Sequence, residues 1–386
     1  MSRGRHLWLA RAYYFFYFGA VGWYFPYINL YFEQIGLPGA LIGALAAIGP
    51  LVLLGAGPLW GMLGDRFRIH RWLLPLASFG PILPALLMSR TTQFAPLAGL
   101  AALAAFFSTP IGPLIDSAVL DLTADSEHAF GAIRVWGSLG FTLVVSVAGY
   151  VLKTVGLIWL FAGFSVWLGL AGLVAFGLPA RQGTMQQGFR AGLAQLLRQK
   201  TLVLFLASTF LVGASFSAGL QFMPLRLQAL GGSPSDVGWA NALAALSEMP
   251  FLFLSAALFR RASVRRILLL AYGGFALRWL LVGLTHSTGV ILATQAMHGL
   301  TFGAMLVGSV AFVNDHTPPG LGATAQSLLV AVNYGLGAAT GALAGGWLFD
   351  SAGASAMFLA MAAFTAIGLM VFALSGPSAA RTQAAP

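Results

Sequence analysis

The chain of 386 residues contains no cysteine. That absence excludes disulfides, thiolate nucleophiles and Cys-ligated metals. Charge is scarce as well: Asp and Glu number 10, and charged residues make up 8% of the chain, against about 25% in an average soluble domain. The sequence has no nucleophile elbow, His-Glu-x-x-His pair, phosphate-cradling Gly loop or metal-ligand cluster. It therefore offers no enzyme chemistry and calls for no cofactor or metal. The Asp315-His316 pair closes an apolar run and reads as loop chemistry. A cleavable signal peptide is not expected either. The first apolar run continues from Leu7 towards Phe32 without a clear small-residue cleavage site.

What the chain does have is apolar surface. Hydrophobic residues make up 59% of it and the mean hydropathy is +0.85. A soluble core cannot absorb that much, so the chain reads as an integral membrane protein. A helical crossing needs about 20 apolar residues. Twelve such runs are expected, over 9–32, 40–63, 72–89, 94–120, 131–152, 157–179, 201–229, 236–259, 265–286, 289–313, 322–349 and 354–375. The expected fold class is an all-α membrane protein of two six-helix, pseudo-symmetric halves. The halves are residues 1–179 and 201–375, joined by a polar linker at 180–200 and followed by a tail at 376–386.

The net charge of +10 invites a nucleic-acid reading. That reading fails because the basic residues lie in short loops between apolar runs, where the positive-inside rule accounts for them. With the N-terminus inside, fifteen of the 20 Lys and Arg fall in cytoplasmic segments. Three, Arg90, Lys153 and Arg226, fall outside, with Arg226 read as an outer-interface residue. The expectation is a bacterial-type cytoplasmic (inner) membrane with both termini cytoplasmic. The expected partners are a small-molecule substrate, protons and membrane lipids, with the chain acting as a monomer.

Five ionisable residues interrupt the apolar runs: Asp116, Arg134, Glu248, Arg278 and His298. A charge at the bilayer centre costs roughly 2.5–3.5 kcal/mol on insertion scales, and such residues mark substrate or proton paths. In an antiparallel hairpin, residues equidistant from the turn share a depth. Asp116 and Arg134 are each nine residues from Asp125, and Arg278 and His298 are each ten from Thr288. At 1.5 Å per residue these pairs lie about 13 Å and about 15 Å from their turns. Glu248, twelve residues after Asp236, lies about 18 Å into its run. All five reach the middle third of a core about 30 Å thick. Asp116 and Arg134 read either as substrate ligands or as a structural interhelical pair. His298 reads either as a ligand or as a neutral hydrogen-bonding group.

The loop Gly61-Met-Leu-Gly-Asp65-Arg66-Phe-Arg68-Ile-His70-Arg71 resembles the cytoplasmic signature of the major facilitator superfamily, with Arg68 where a Gly is usual. The resemblance implies a conformational switch loop built on Gly61, Asp65, Arg66 and Arg68. The blocks from Tyr13 to Tyr31, from Pro58 to Asp65 and from Phe130 to Phe141 (Phe-Gly-Ala-Ile-Arg-Val-Trp-Gly-Ser-Leu-Gly-Phe), with Ser247-Glu248-Met-Pro250 and His298-Gly-Leu-Thr-Phe302, are similar to the lactose permease and phenylpropionate permease group. In that group an acid on the fourth span and an Arg on the fifth bind substrate. An Arg on the ninth and a His on the tenth serve binding and proton coupling. The resemblance carries these roles to Asp116, Arg134, Arg278 and His298. The sequence departs at Gln295 and Thr301, where the sugar porter has a Lys and a proton-accepting Glu. That moves the proton site to Glu248, with His298 assisting. Tyr24 and Trp136 are expected to line the binding cavity, and Trp239 and Trp279 to offer further stacking surfaces.

The expected function is secondary active transport, as a proton-coupled symporter importing a small organic solute. An aromatic carboxylate is favoured, since guanidinium holds carboxylate bidentately. A sugar or nucleoside stays open, and the alternative is a drug/proton antiporter.

Overall fold

The computed structural model describes residues 3–67, 69–123, 129–179 and 189–375. All regular structure among them is helical. The first group of helices is α1 (Arg3–Tyr24), α2 (Ile28–Gln34), α3 (Gly39–Phe67), α4 (His70–Phe79), α5 (Ile82–Met88), α6 (Phe94–Ser108), α7 (Ile111–Leu122), α8 (Ala129–Val155) and α9 (Trp159–Ala175). A short α10 (Phe189–Leu196) follows. The second group is α11 (Lys200–Ala229), α12 (Pro234–Arg261), α13 (Val264–Leu284), α14 (Thr288–Thr294), α15 (Ala304–His316), α16 (Gly322–Val330) and α17 (Ala338–Ala373).

Among the described residues, nine segments are long and apolar enough to cross a membrane. One of them, Gly322–Ala373, runs for 52 residues. At 1.5 Å per residue that is more than twice a hydrocarbon core, and it bends at Gly353, whose φ is +82°. The segment therefore accounts for two crossings. Adding α1 and the shorter apolar helix Trp159–Ala175 agrees with the twelve expected runs.

Several expected single runs are broken. The first breaks between Tyr24 and Ile28 around Pro26, the third at Gly80-Pro81 and the fourth at Thr109-Pro110. Proline has no N–H to donate and its ring crowds the preceding turn, so each break follows locally. The tenth and eleventh runs contain a different irregularity. A 3₁₀ turn at Gln295–Met297 and a π segment at Gly299–Gly303 lie between α14 and α15, and a second π segment, Ala331–Gly337, joins α16 to α17. Single π turns inside membrane helices frequently mark functional sites. Other helix starts follow familiar chemistry: Ser233 and Asp236 form a reciprocal capping box on α12, which satisfies amides left free at a helix start.

In the first group α1 packs on α8 and α9; in the second α11 packs on α17, and α17 on α13. Across the groups α3 meets α17 and α8 meets α12. Several polar contacts between groups lie at the bundle end away from the chain termini. Asn29 donates to the Gln221 backbone carbonyl and side-chain oxygen, each at 2.8 Å. Gln228 donates to Glu33 at 2.8 Å. Both carboxylate oxygens of Asp350 accept from the start of α3, from Gly39 N at 2.6 Å and Ala40 N at 2.7 Å. Beside them a Cβ on Gly43 would strike the Ala342 carbonyl, and one on Gly346 would strike that of Gly39. Small residues here let the two backbones touch.

Candidate functional site

A cavity of about 740 Å³ lies between the two groups, with walls from α1, α8, α11, α12, α13 and the Gln295–Phe302 stretch. Its lining carries Arg134, Glu248, Arg278, Gln295 and His298. It extends to Phe130, Gly131 and Phe253, towards the end that bears the termini.

Arg278, on α13, is only 3% exposed. Its Nη1 donates to His298 Nδ1 at 2.9 Å, and its Nη2 donates to Gln295 Oε1 in a short contact. A guanidinium can only donate. His298 therefore accepts at Nδ1 and carries its hydrogen on Nε2. Gln295 is steadied by its own donation to the Ile291 carbonyl at 3.0 Å. Arg278 Nε has no partner, and the guanidinium lies 5.0 Å from the Trp279 ring centroid. Both hydrogen-bond partners are neutral, so among the described residues the charge has no counter-ion in direct contact. The His298 ring stacks on Phe302 with centroids 5.1 Å apart.

Arg134 is held differently. Its guanidinium sits 4.1 Å from the Phe18 ring centroid and 5.4 Å from that of Tyr14. Gly137 makes room for it, since a Cβ there would lie 2.8 Å from Nη1. Asp116 is hydrogen-bonded to the Tyr14 hydroxyl and does not line the cavity. Hairpin spacing expects Asp116 and Arg134 at one depth. The structure puts the Tyr14 ring against the guanidinium and its hydroxyl on the carboxylate, with no direct ion pair between the two.

Glu248 lines the cavity and makes no hydrogen bond or ion pair to a described residue. Its helix abuts the His298 stretch. Gly299 N donates to Ser247 Oγ at 3.1 Å, and a Cβ on Gly299 would strike the Ser247 carbonyl. Gly299 thus brings the Glu248 backbone beside the residue following His298. Thr301 is fully buried and bonds back to Met297 at 2.9 Å, so it faces its own helix.

Three expected aromatic surfaces lie elsewhere. Tyr24 lines a second cavity and packs on Phe164 with centroids 4.6 Å apart. Trp136 meets Trp8 edge-on at 6.3 Å, outside the cavity lining. Trp239 is 57% exposed. Of the tryptophans named from sequence, Trp279 lines the cavity. Arg226, expected at the outer interface, is buried and donates to the Thr285 carbonyl at 2.7 Å. In the switch loop, Gly61, Asp65 and Arg66 fall in the last turns of α3, where Arg66 is exposed. Arg68 lies outside the described residues, as do the linker stretch 180–188, the tail 376–386 and the turn residues Asp125 and Glu127.

Sequence reasoning missed Tyr14 and Phe18, hidden in an aromatic run, and Asn333 and Tyr334, hidden in a Gly-rich one. Asn333 was visible as an amide inside an apolar span, the type of residue that cavities collect.

The MFS_1-like family matches residues 7–360. The chain is similar to the maltose permease of Geobacillus stearothermophilus, at 30% identity over 364 residues, covering 94% of this chain and 92% of that one. It is similar to a probable 3-phenylpropionic acid transporter of Escherichia coli (strain K12), at 29% identity, covering 76% and 78%. Among solved structures it superposes on the nucleoside transporter NupG with a TM-score of 0.83 at 17% identity, covering 97% of this chain and 99% of that one. That likeness shows the fold.

Proposed function

The chain belongs to the MFS_1-like family of multi-pass membrane transporters, and from that premise we propose that it is a proton-coupled symporter importing a small organic anion. An aromatic carboxylate of the phenylpropionate kind is the favoured substrate. Alternating access moves it across a bacterial-type cytoplasmic membrane, with both termini inside and the chain acting as a monomer.

The observation that carries this reading is the charge balance of the cavity. Arg134 and Arg278 come from opposite groups of helices and converge on one space with a single carboxylate, Glu248. Arg278 is bonded only to neutral side chains. A carboxylate substrate supplies the missing counter-charge and matches the guanidinium fork. A sugar or nucleoside would leave Arg278 uncompensated. Asp116 acts through Tyr14, holding the ring on which Arg134 rests. Glu248, unpaired and close to the His298 stretch, is the proton carrier. Its protonation neutralises the cavity's one acid and strengthens the field for the incoming anion.

The test is uptake of 3-phenylpropionate into proteoliposomes under an imposed inward proton gradient. Glu248→Gln is expected to abolish gradient-driven accumulation. Undiminished accumulation in that variant removes Glu248 from the proton path. A drug/proton antiporter is the second reading, favoured by the Phe18, Phe141, Phe216 and Phe302 rings around the charges. It predicts drug resistance on overexpression, which the importer reading does not.

A further inference from the structure

A second cavity of about 500 Å³ adjoins the charged one. Val21, Phe25, Phe216 and Leu220 line both, so these four side chains form the shared wall. The two spaces differ in chemistry. The first holds two arginines, a glutamate and a histidine, whereas the lining of the second includes no charged residue. Its polar groups include Asn29, Gln221, Asn333 and Tyr334.

These groups retain hydrogen-bonding capacity. Asn29 Nδ2 serves the Gln221 backbone and side-chain oxygens, which leaves Asn29 Oδ1 and Gln221 Nε2 unused. Asn333 is 5% exposed, and its side-chain amide makes no hydrogen bond to a described residue. The Tyr334 hydroxyl makes none either. Asn333 and Tyr334 sit on the π segment Ala331–Gly337, where the local widening of the helix sets their direction. Gly213 of α11 accommodates the Asn333 side chain, because a Cβ there would collide with Asn333 Oδ1. Amides that line a cavity without protein partners are available to a ligand's polar groups, and a helix distorted to present them points to such a ligand.

We propose that this neutral space is a recognition site for hydroxyl groups on the uncharged part of the transported acid, with Asn333 and Tyr334 as its principal ligands. A hydroxyl both donates and accepts, so it satisfies an amide and a phenol together. The substrate class is therefore a hydroxylated organic acid. Its carboxylate lies on the arginine side of the shared wall and its hydroxyls lie on the amide side. An unsubstituted aryl tail would leave the amides unpaired, and sites built to bond a hydroxyl discriminate strongly against analogues that lack it. This inference rests on the anion reading above.

The experiment compares two probes, 3-phenylpropionate and 3-(3,4-dihydroxyphenyl)propionate, by thermal stabilisation of the purified full chain. The dihydroxy acid is expected to bind about tenfold more tightly, the worth of satisfying one or two buried polar groups. Asn333→Leu should shrink that ratio to below threefold. Tyr334→Phe, which keeps the ring and deletes one hydroxyl, should shrink it in the same direction and serves if Asn333→Leu melts early without ligand. Equal binding of the two acids overturns the proposal, as does a ratio unchanged in both variants; either result leaves the anion reading standing. If neither acid binds while a neutral glycoside does, the anion reading itself fails and takes this inference with it.

Discussion

Arg134 and Arg278 are the same residue, placed on opposite sides of one cavity, in two different settings. Arg278 is buried and clamped by His298 and Gln295, with directional hydrogen bonds at both Nη atoms. Arg134 rests on the faces of Phe18 and Tyr14 with no hydrogen bond to a described residue. A clamped guanidinium is preorganised, so an anion meets it without further ordering cost. A guanidinium on aromatic faces keeps its charge and its donors available. On the anion reading proposed above, the fixed anchor belongs to the second group of helices and the adaptable partner to the first. If the two groups move past each other as the proposed function requires, an anchor on one side and a cation held only by ring faces on the other would keep hold of one substrate through the change.

The comparison breaks most visibly at Arg278. Lysine there keeps the charge but loses the fork. Affinity for 3-phenylpropionate is expected to fall on the order of a hundredfold by thermal-shift titration, since disrupting a buried, hydrogen-bonded charge costs about 2–5 kcal/mol. A smaller loss than Arg134→Lys produces would invert the assignment. Next in size is Gln295→Glu, which gives Arg278 an internal carboxylate. The pair should exclude the substrate acid and weaken its binding roughly thirtyfold; unchanged affinity would mean that the substrate does not meet this charge. Tyr14→Phe tests the other side. Freed from the hydroxyl, Asp116 is expected to draw Arg134 out of the cavity and weaken binding about tenfold. Adding Asp116→Asn removes the competing acid and should restore most of it. Failure of that rescue would make Tyr14 a packing residue only. The smallest effect is expected from Arg134→Lys, a loss of about threefold for weakened contacts worth about 0.5–1 kcal/mol, read in the same titration.

How far the molecule was legible in its sequence depends on which coordinate is asked for. Composition and run length give the all-helical membrane fold, because backbone in lipid must satisfy its hydrogen bonds internally. Hairpin spacing gives depth. It put Arg278 and His298 level, and in the structure they touch. The same rule put Asp116 and Arg134 level, yet Tyr14 links them. Depth does not fix the angle around a helix axis, and a neighbouring helix can insert a ring between two residues at one height. Pro26, Pro81 and Pro110 mark the breaks, which run length did not resolve, since each of those runs was expected to be continuous. The π segments left no comparable mark, since one extra residue in a turn is invisible in an apolar run with no strong stripe. Asn333 stands out as an amide in an apolar run, but the Gly-rich stretch around it reads as packing and conceals the π segment that presents it.

Asp350 touches no part of either cavity, yet it bears on how the carrier works in dilute solution. Its carboxylate accepts two amides at the start of α3, where the helix dipole favours a negative charge, and so fastens the bundle at the end away from the termini. In the importer proposed above, a solute arriving from that side would enter only those molecules in which the contact is open, and its apparent affinity would be diluted by that open fraction. Under that proposal, two hydrogen bonds remote from the substrate scale how scarce a solute can still be collected.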